Sequence, residues 1–384
     1  MTFPAARHAQ SQWSATPVAD RKAIMLAFHD LVLERQVELL DIVQEETGKS
    51  RADAFNEVID VAITARHYAY RAPRLLSPQR AKGALPLLTS THVERAPKGV
   101  VGLIAPWNYP LSLAISDAIP ALLAGNAVVL KPDEKTTGTA RLAAALLAEA
   151  GLPTDVLQIL EGGADAGQRV VAECDYLMFT GSTAVGRKLA AQAGERLIGF
   201  SAELGGKNPL IVLPSADPAQ AARGAVGACF SNTGQLCISV ERIFVHESVA
   251  DEFTAEFVAA TEALRLGQAW TDDVGRLISQ EHLGRVSEMV TTAVSQGARV
   301  LTGGTHEGLY YAPTVLVDVP HHADLYTREV FGPVVYIERV ATIDEAVTRA
   351  NETNYGLNAS VWGAVRQARE VASHLEAGTV NINE

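Results

Sequence analysis

Three places in the chain combine residue types and spacing that could do chemistry: Cys237, Glu203 and the glycine stretch that begins at Gly181. Cys237 closes Asn232-Thr233-Gly234-Gln235-Leu236-Cys237, where Asn and Gly mark a turn, and Ile238-Ser239-Val240 after it signals burial. A thiol at a turn or helix start can have a lowered pKa and act as a nucleophile, whereas a thiol inside a core is one more small apolar group. Spacing alone leaves both readings open for Cys237. The apolar surroundings of Cys174 and Cys229 give those two the second.

Glu203 follows the apolar run Leu197 to Phe200 and precedes Gly205-Gly206-Lys207. Partial burial there would raise its pKa and suit it to general-base work; a solvated strand-end acid or an ion-pair partner of Lys207 is the plainer alternative. The stretch Gly181-Ser182-Thr183-Ala184-Val185-Gly186-Arg187-Lys188 follows a predicted strand and opens a helix, the geometry in which a helix N-terminus meets a phosphate. It departs from a P-loop because Arg187 stands where Lys must follow the second glycine. It departs from the dinucleotide fingerprint because Thr183 takes the place of a glycine. None of the ten histidines lies in a catalytic signature, and no HExxH or CxxC occurs, so a metal site has no support.

The elements that must position these residues can be read coarsely. Thr16 as N-cap with Pro17 at the first helical position starts one amphipathic helix or two, running to Gly48. A second helical stretch, Ala52 to Tyr70, leads into a connector from Ala72 to Pro86, and Leu87 to Glu94 alternates as a strand. Short β-rich runs then alternate with helical ones: Val100 to Ile104, Ala127 to Leu130, Val156 to Leu160 and Tyr176 to Thr180. Strands spaced by crossover helices imply an α/β fold with a parallel sheet. A second α/β block follows Gly205-Gly206, with strands near Leu210 to Leu213, Arg242 to His246, Ala298 to Leu301, Val334 to Val340 and Thr379 to Ile382. The chain stops at Asn383-Glu384 directly after a strand, an ending that looks like a truncation.

At 384 residues the chain exceeds the size at which single cores stop growing, so two domains are expected. Its net charge of −12 offers no general driving force toward nucleic acid or an anionic membrane. Three cysteines are too few for a disulfide framework and point to a reducing compartment, the cytoplasm by default. The most apolar region, Val100 to Leu130, is broken by Asn108, Asp117 and Asn126, so no membrane span is expected.

Six motifs, in order, resemble the NAD(P)-dependent aldehyde dehydrogenase superfamily: Ala105-Pro106-Trp107-Asn108-Tyr109-Pro110, Lys131-Pro132-Asp133-Glu134, Phe179-Thr180-Gly181-Ser182, Glu203-Leu204-Gly205-Gly206-Lys207, Gly234-Gln235-Leu236-Cys237 and Glu329-Val330-Phe331-Gly332-Pro333. The resemblance covers nearly the whole chain. It implies a Rossmann-like NAD(P)-binding domain of residues 1–82 and 99–204, an oligomerisation hairpin at 83–98, and an α/β catalytic domain at 205–384. It implies Cys237 as nucleophile, Asn108 as oxyanion donor and Glu203 as the base that hydrolyses a thioester. Trp107, Lys131, Glu134, Gly181, Ser182, Glu329 and Phe331 would contact the cofactor, with NAD favoured over NADP because Glu134 faces the adenosine ribose. A small aldehyde is the expected substrate, and a homodimer or homotetramer the expected assembly of the full-length protein.

The wording around Asp175 to Leu204 and Cys229 to Val245 is similar to that of bacterial proteins labelled succinate-semialdehyde dehydrogenases. Where that group usually carries carboxylate-binding arginines, Ser116 and Ser231 stand here, which implies broader or different aldehyde specificity. A CoA-acylating relative is the alternative enzyme, disfavoured by the presence of Glu203. A catalytically silent structural relative is the alternative outside catalysis, disfavoured by an intact Cys237, Glu203 and Asn108.

Overall fold

The computed structural model describes residues 3–85 and 88–384. They fall into two units, one of Met1–Glu46 with Ala54–Glu203 and the other of Thr47–Asp53 with Leu204–Glu384. The short segment 47–53 clusters with the second unit because the backbone N–H of Arg276 donates to the Gly48 carbonyl at 2.9 Å, and Asp53 accepts from the N–H of Asn232.

The helical start of the chain comprises α1 (Phe3–Ala15), α2 (Val18–Glu34), α3 (Gln36–Thr47) and α4 (Arg51–Leu76). Helix α1 precedes the first element expected from sequence. It forms because Phe3, Ala6 and Trp13 are buried and the Trp13 indole N–H donates to the Leu122 carbonyl at 2.9 Å, contacts that no local signal announces. Pro17 proves to be the N-cap of α2 and not its first helical residue. Helix α4 continues through Pro73 into the expected connector. Strand β1 (Gln79–Ala81) then pairs antiparallel with β2 (Thr91–Val93). The strand expected over Leu87 to Glu94 is therefore shorter, and Pro86 and Leu87 lie outside the described residues.

Strands and helices alternate from there: β3 (Val100–Ile104), α5 (Ser112–Leu123), β4 (Ala127–Lys131), α6 (Thr137–Glu149), β5 (Leu157–Ile159), α7 (Ala164–Glu173), β6 (Tyr176–Thr180), α8 (Thr183–Glu195) and β7 (Gly199–Glu203). Among the described residues they form a five-stranded sheet in the order β5-β4-β3-β6-β7, all neighbours parallel. The near-continuous Val and Leu runs of β3 and β4 suit strands covered on both faces. Strand β7, unforeseen in Gly-Phe-Ser-Ala-Glu, is recruited by pairing with β6. Its Gly199 lies flat against the Tyr176 ring, where a Cβ would come within 2.5 Å.

The second unit holds β8 (Asn208–Val212), α9 (Pro218–Phe230), β9 (Val240–His246), α10 (Glu247–Glu262), α11 (Gln280–Ser295), β10 (Arg299–Thr302), the small hairpin β11 (His306–Glu307) and β12 (Tyr310–Tyr311), and β13 (Thr314–Val317). It continues with α12 (Asp324–Thr327), β14 (Val334–Val340), α13 (Ile343–Asn351), β15 (Asn358–Trp362), α14 (Val365–Ala372) and β16 (Thr379–Ile382). Among the described residues its main sheet has seven strands in the order β10-β13-β14-β9-β8-β15-β16, parallel except for β10 against β13. Alternate residues of β8 serve opposite cores: Leu210 and Val212 join Phe253 and Phe257, while Ile211 joins Phe244, Val361 and Ala368. Among the described residues, no helix is long and apolar enough to cross a membrane.

Candidate active site

In the first unit, every motif residue lies where a parallel strand ends. The chain order runs outward from β3 through β4 to β5 and then returns to the other side of β3 for β6, so the switch point lies between β3 and β6. Ligands of open parallel sheets bind outside the carboxyl ends at such a point. Trp107 and Asn108 leave β3 on one side of it, and Gly181 and Ser182 leave β6 on the other. Lys131 ends β4, and its carbonyl accepts from Ala105 N at 3.0 Å, which ties the Trp107 loop to the β4 end. Asp133 caps the 3-10 turn Glu134–Thr136, leaving the Glu134 side chain exposed beside Gly163, where a Cβ would come within 3.2 Å of the carboxylate.

Ser182 is the N-cap of α8, its hydroxyl accepting from Val185 N at 3.4 Å, so the first N–H groups of a 13-residue helix face outward at the switch point. Gly181 N donates to the Glu203 carbonyl at 3.0 Å, which brings the Gly181 turn and Glu203 together at neighbouring strand ends. Glu203 itself is exposed at the end of β7, the position of the plainer strand-end acid weighed above and without the partial burial of the other reading. Asn108 is buried. Its loop is set by Glu57 on α4, whose carboxylate accepts from the N–H groups of Leu111 at 2.8 Å and Ser112 at 3.1 Å. Burial, with Glu203 and Asp60 adding repulsion, pushes the Asp117 carboxyl up to about 6.

The second unit uses the other ends of its strands. Gly205-Gly206-Lys207 leads into β8, the Cys237 loop into β9 and Glu329–Pro333 into β14, and these three strands are neighbours. The turn before Cys237 runs through three left-handed residues, Asn232 (φ 51°), Thr233 (φ 60°) and Gly234 (φ 65°). Such a run costs backbone energy for the two non-glycines and persists only where its surroundings over-determine it. They do: Asn232 Nδ2 donates to the Gln235 carbonyl at 2.9 Å, Gln235 Oε1 accepts from Ile278 N at 3.0 Å, and a Cβ on Gly234 would meet the Gly332 carbonyl at 2.2 Å.

Beyond the turn, Asn208 Nδ2 donates to the carbonyls of Cys237 at 2.8 Å and Ser239 at 2.7 Å, pinning the cysteine to the start of β8. Glu329 reaches the same corner, accepting from Gly206 N at 3.0 Å. Both glycines are needed for this approach, since a Cβ on Gly205 would lie 2.3 Å from the Glu329 carboxylate and one on Gly206 would lie 2.6 Å from the Cys237 carbonyl. Cys237, Glu329 and Phe331 are thus brought together. Burial, reinforced by the Glu241 charge, pushes the Glu329 carboxyl up to about 7.

Cys237 is half-buried, whereas Cys174 and Cys229 are buried and burial raises both of their thiol pKa values. Lys207, weighed above as a partner for Glu203, pairs instead with Glu241 at 2.6 Å. Sequence reasoning missed Glu241, Asn208 and Glu57. A charge inside the apolar run Ser239-Val240-Glu241-Arg242-Ile243-Phe244-Val245 was the available signal for the first, while the hydrogen bonds of the other two join segments far apart in sequence.

The pattern of the Aldehyde dehydrogenase family matches residues 1–384. A protein of Mycolicibacterium smegmatis named "Putative succinate-semialdehyde dehydrogenase [NADP(+)]" is 51% identical over 390 residues, covering 100% of this chain and 75% of that protein. The "Benzaldehyde dehydrogenase [NAD(+)]" of Pseudomonas putida is 38% identical over 390 residues, covering 99% of this chain and 79% of that protein. The crystal structure of an NAD-dependent aldehyde dehydrogenase from Sinorhizobium meliloti superposes with a TM-score of 0.95 at 36% identity, covering 100% of this chain and 78% of that one. The chain belongs to the aldehyde dehydrogenase family and is an NAD(P)-dependent member of it.

Proposed function

We propose that this chain oxidises an aldehyde to the carboxylic acid through a covalent intermediate on Cys237. The observation that carries this reading is the contrast among the three thiols: Cys237 alone is not fully buried, and its loop is held by a left-handed turn and the Asn208 side chain. The Cys237 sulfur bonds to the aldehyde carbon, and the developing oxyanion is held by the Asn108 side-chain amide and the Cys237 backbone N–H. Loss of hydride from that carbon leaves a thioester. Glu203 takes a proton from water, which attacks the thioester, releasing the acid and returning the thiolate.

The donor set of the first unit fits a dinucleotide: a capped helix N-terminus at the switch point for pyrophosphate, and Lys131 and Glu134 at the β4 end for ribose hydroxyls. Gly181, Ser182 and Trp107 belong to the same binding surface, and Glu329 and Phe331 are assigned to the nicotinamide end. When bound, NAD(P) supplies the hydride acceptor. Residues 1–82 and 99–204 are accordingly assigned to cofactor binding, 205–384 to catalysis and 83–98 to assembly. The exposed Val93 of β2 and the exposed Leu88 preceding it support a homodimer or homotetramer, which sedimentation tests.

The Glu134 carboxylate repels a 2′-phosphate, which favours NAD; the NADP(+) in the name of the M. smegmatis relative favours the second reading. That relative's name also makes succinate semialdehyde the first substrate to test. Ser116 and Ser231 give no cation to a substrate carboxylate, and their hydroxyls donate to Asp60 at 2.8 Å and the Gly227 carbonyl at 2.7 Å, which supports a wider range. The test is NAD(P)H formation against a panel including succinate semialdehyde and benzaldehyde, with and without CoA. CoA-independent turnover is expected; a CoA requirement would select the acylating alternative, and no turnover with any aldehyde would select the silent one.

A further inference from the structure

Glu241 and Lys207 form an ion pair of 2.6 Å whose residues are 3% and 1% exposed. A buried pair of this kind adds little to stability over an apolar replacement, so its contacts deserve an explanation beyond folding. The Glu241 carboxylate does more than meet Lys207. Its Oε1 accepts from the N–H groups of Val330 at 3.0 Å and Phe331 at 2.9 Å, and its Oε2 also accepts from Val330 at 2.9 Å. Two successive backbone N–H groups aimed at one anion form a nest, here filled by the protein's own carboxylate.

The neighbouring carbonyls are held as well. Arg285 donates to Val330 O at 3.0 Å, and His282 Nε2 donates to Phe331 O at 2.7 Å. Phe331 consequently keeps a left-handed φ of 58°, a conformation disfavoured for an aromatic residue. The residue before the nest is Glu329, whose carboxylate is aimed back at Gly206 N.

We propose that Glu241, balanced by Lys207, is a positioning residue for the cofactor: by clamping the Val330 and Phe331 N–H groups it presets where the Glu329 carboxylate and the Phe331 ring stand. This rests on the assignment of Glu329 and Phe331 to the nicotinamide end. Glu241→Gln loses the charge-assisted bonds and sets an amide NH2 against the Lys207 ammonium, releasing the clamp.

Calorimetric affinities for NAD+ and NADP+, measured without aldehyde on the parent, Glu241→Gln, Glu329→Gln and the double variant, test it. Each single variant is expected to bind the preferred cofactor about tenfold more weakly, and the double variant no more than about twofold below Glu329→Gln, because both changes act through one carboxylate. Additive losses, or an unchanged Kd for Glu241→Gln beside a weakened Glu329→Gln, would overturn the positioning role alone. An unchanged Kd for Glu329→Gln would overturn the assignment beneath it as well. Hydrogen exchange of the parent guards against a variant that fails to fold. The Val330 and Phe331 amides are expected to be protected equally with and without cofactor; protection that appears only on cofactor addition contradicts a preset clamp.

Discussion

The two main sheets of this chain place their motif residues at opposite ends of their parallel strands. In the first unit Trp107, Lys131, Ser182 and Glu203 lie at or just after the carboxyl ends of β3, β4, β6 and β7; in the second, Gly206, Cys237 and Glu329 lie before the amino ends of β8, β9 and β14. The carboxyl ends of a parallel sheet come with helix N-termini attached, so the topology itself supplies partial positive charge for a pyrophosphate. The amino ends supply nothing comparable. There the geometry is built from individual hydrogen bonds, such as Asn208 on the Cys237 carbonyl, and from glycines that let two loops touch. On the proposed reading, topology suffices for binding a common cofactor, whereas aiming a nucleophile requires specific long-range contacts.

The largest expected effect separates the two regions by chemistry. Cys237→Ala should lower acid formation and hydride transfer together, on the order of 10⁴-fold or more, while leaving cofactor affinity nearly intact. Stopped-flow absorbance and calorimetry on the same preparation check both halves. A parallel loss of cofactor binding would blur the distinction between the units.

Next come the glycines. A Cβ at Gly206 would strike the Cys237 carbonyl at 2.6 Å, a backbone atom, whereas one at Gly181 would strike the tip of the Phe179 ring at 2.6 Å, a side-chain atom whose displacement leaves the backbone in place. Gly206→Ala is therefore expected to cost about 1–3 kcal/mol in urea unfolding, and Gly181→Ala less than about 1 kcal/mol. Equal costs would mean that the second unit's corner is more yielding than its contacts suggest.

Each unit also holds one carboxyl above its ordinary range, Asp117 at about 6 and Glu329 at about 7. A carboxyl with a raised folded-state pKa holds its proton more tightly folded than unfolded. Its contribution is complete below the unfolded value and is lost as pH rises through the folded one. Glu329→Gln should remove a decline in stability, on the order of 3 kcal/mol, between about pH 4.5 and 7, and Asp117→Asn a decline ending nearer pH 6. Thermal midpoints across that range give the measurement, and an opposite slope would contradict the assignment.

The first unit offers one more contrast, in cofactor choice and not in stability. Glu134→Ser should shift the ratio of catalytic efficiencies toward NADP by about tenfold, roughly 1.4 kcal/mol, by removing a charge beside the ribose. An unchanged ratio would remove Glu134 from cofactor choice.

The same asymmetry explains what could be read in the sequence. Strands β6, β14 and β16 were legible to the residue, because apolar alternation and turn signals are local. Strand β15 was not. Its Asn358-Ala359-Ser360-Val361-Trp362 reads as polar, yet all five residues are buried because Asn358 donates to the Ile238 carbonyl at 3.2 Å and Ser360 to the Glu384 carbonyl at 2.6 Å. In the first unit, Gly181-Ser182 after a strand announced a helix N-terminus, and the structure has one there. In the second, Cys237 was visible as a cysteine at a turn, but nothing local announced Asn208, Glu241 or the left-handed Thr233. Their roles come from partners such as Cys237, Val330 and Gln235, set by the order of strands β14, β9 and β8.

The proposed mechanism divides the labour: Cys237 of the second unit carries the acyl group and Glu203 of the first releases it. Rapid mixing of Glu203→Gln with cofactor and aldehyde, followed by mass spectrometry of the protein, tests it most directly. The expected result is a burst of reduced cofactor near one equivalent per active site, then a stall, with the acyl adduct on the peptide carrying Cys237. Steady turnover at the parent rate, or an adduct on Cys174 or Cys229, would contradict it.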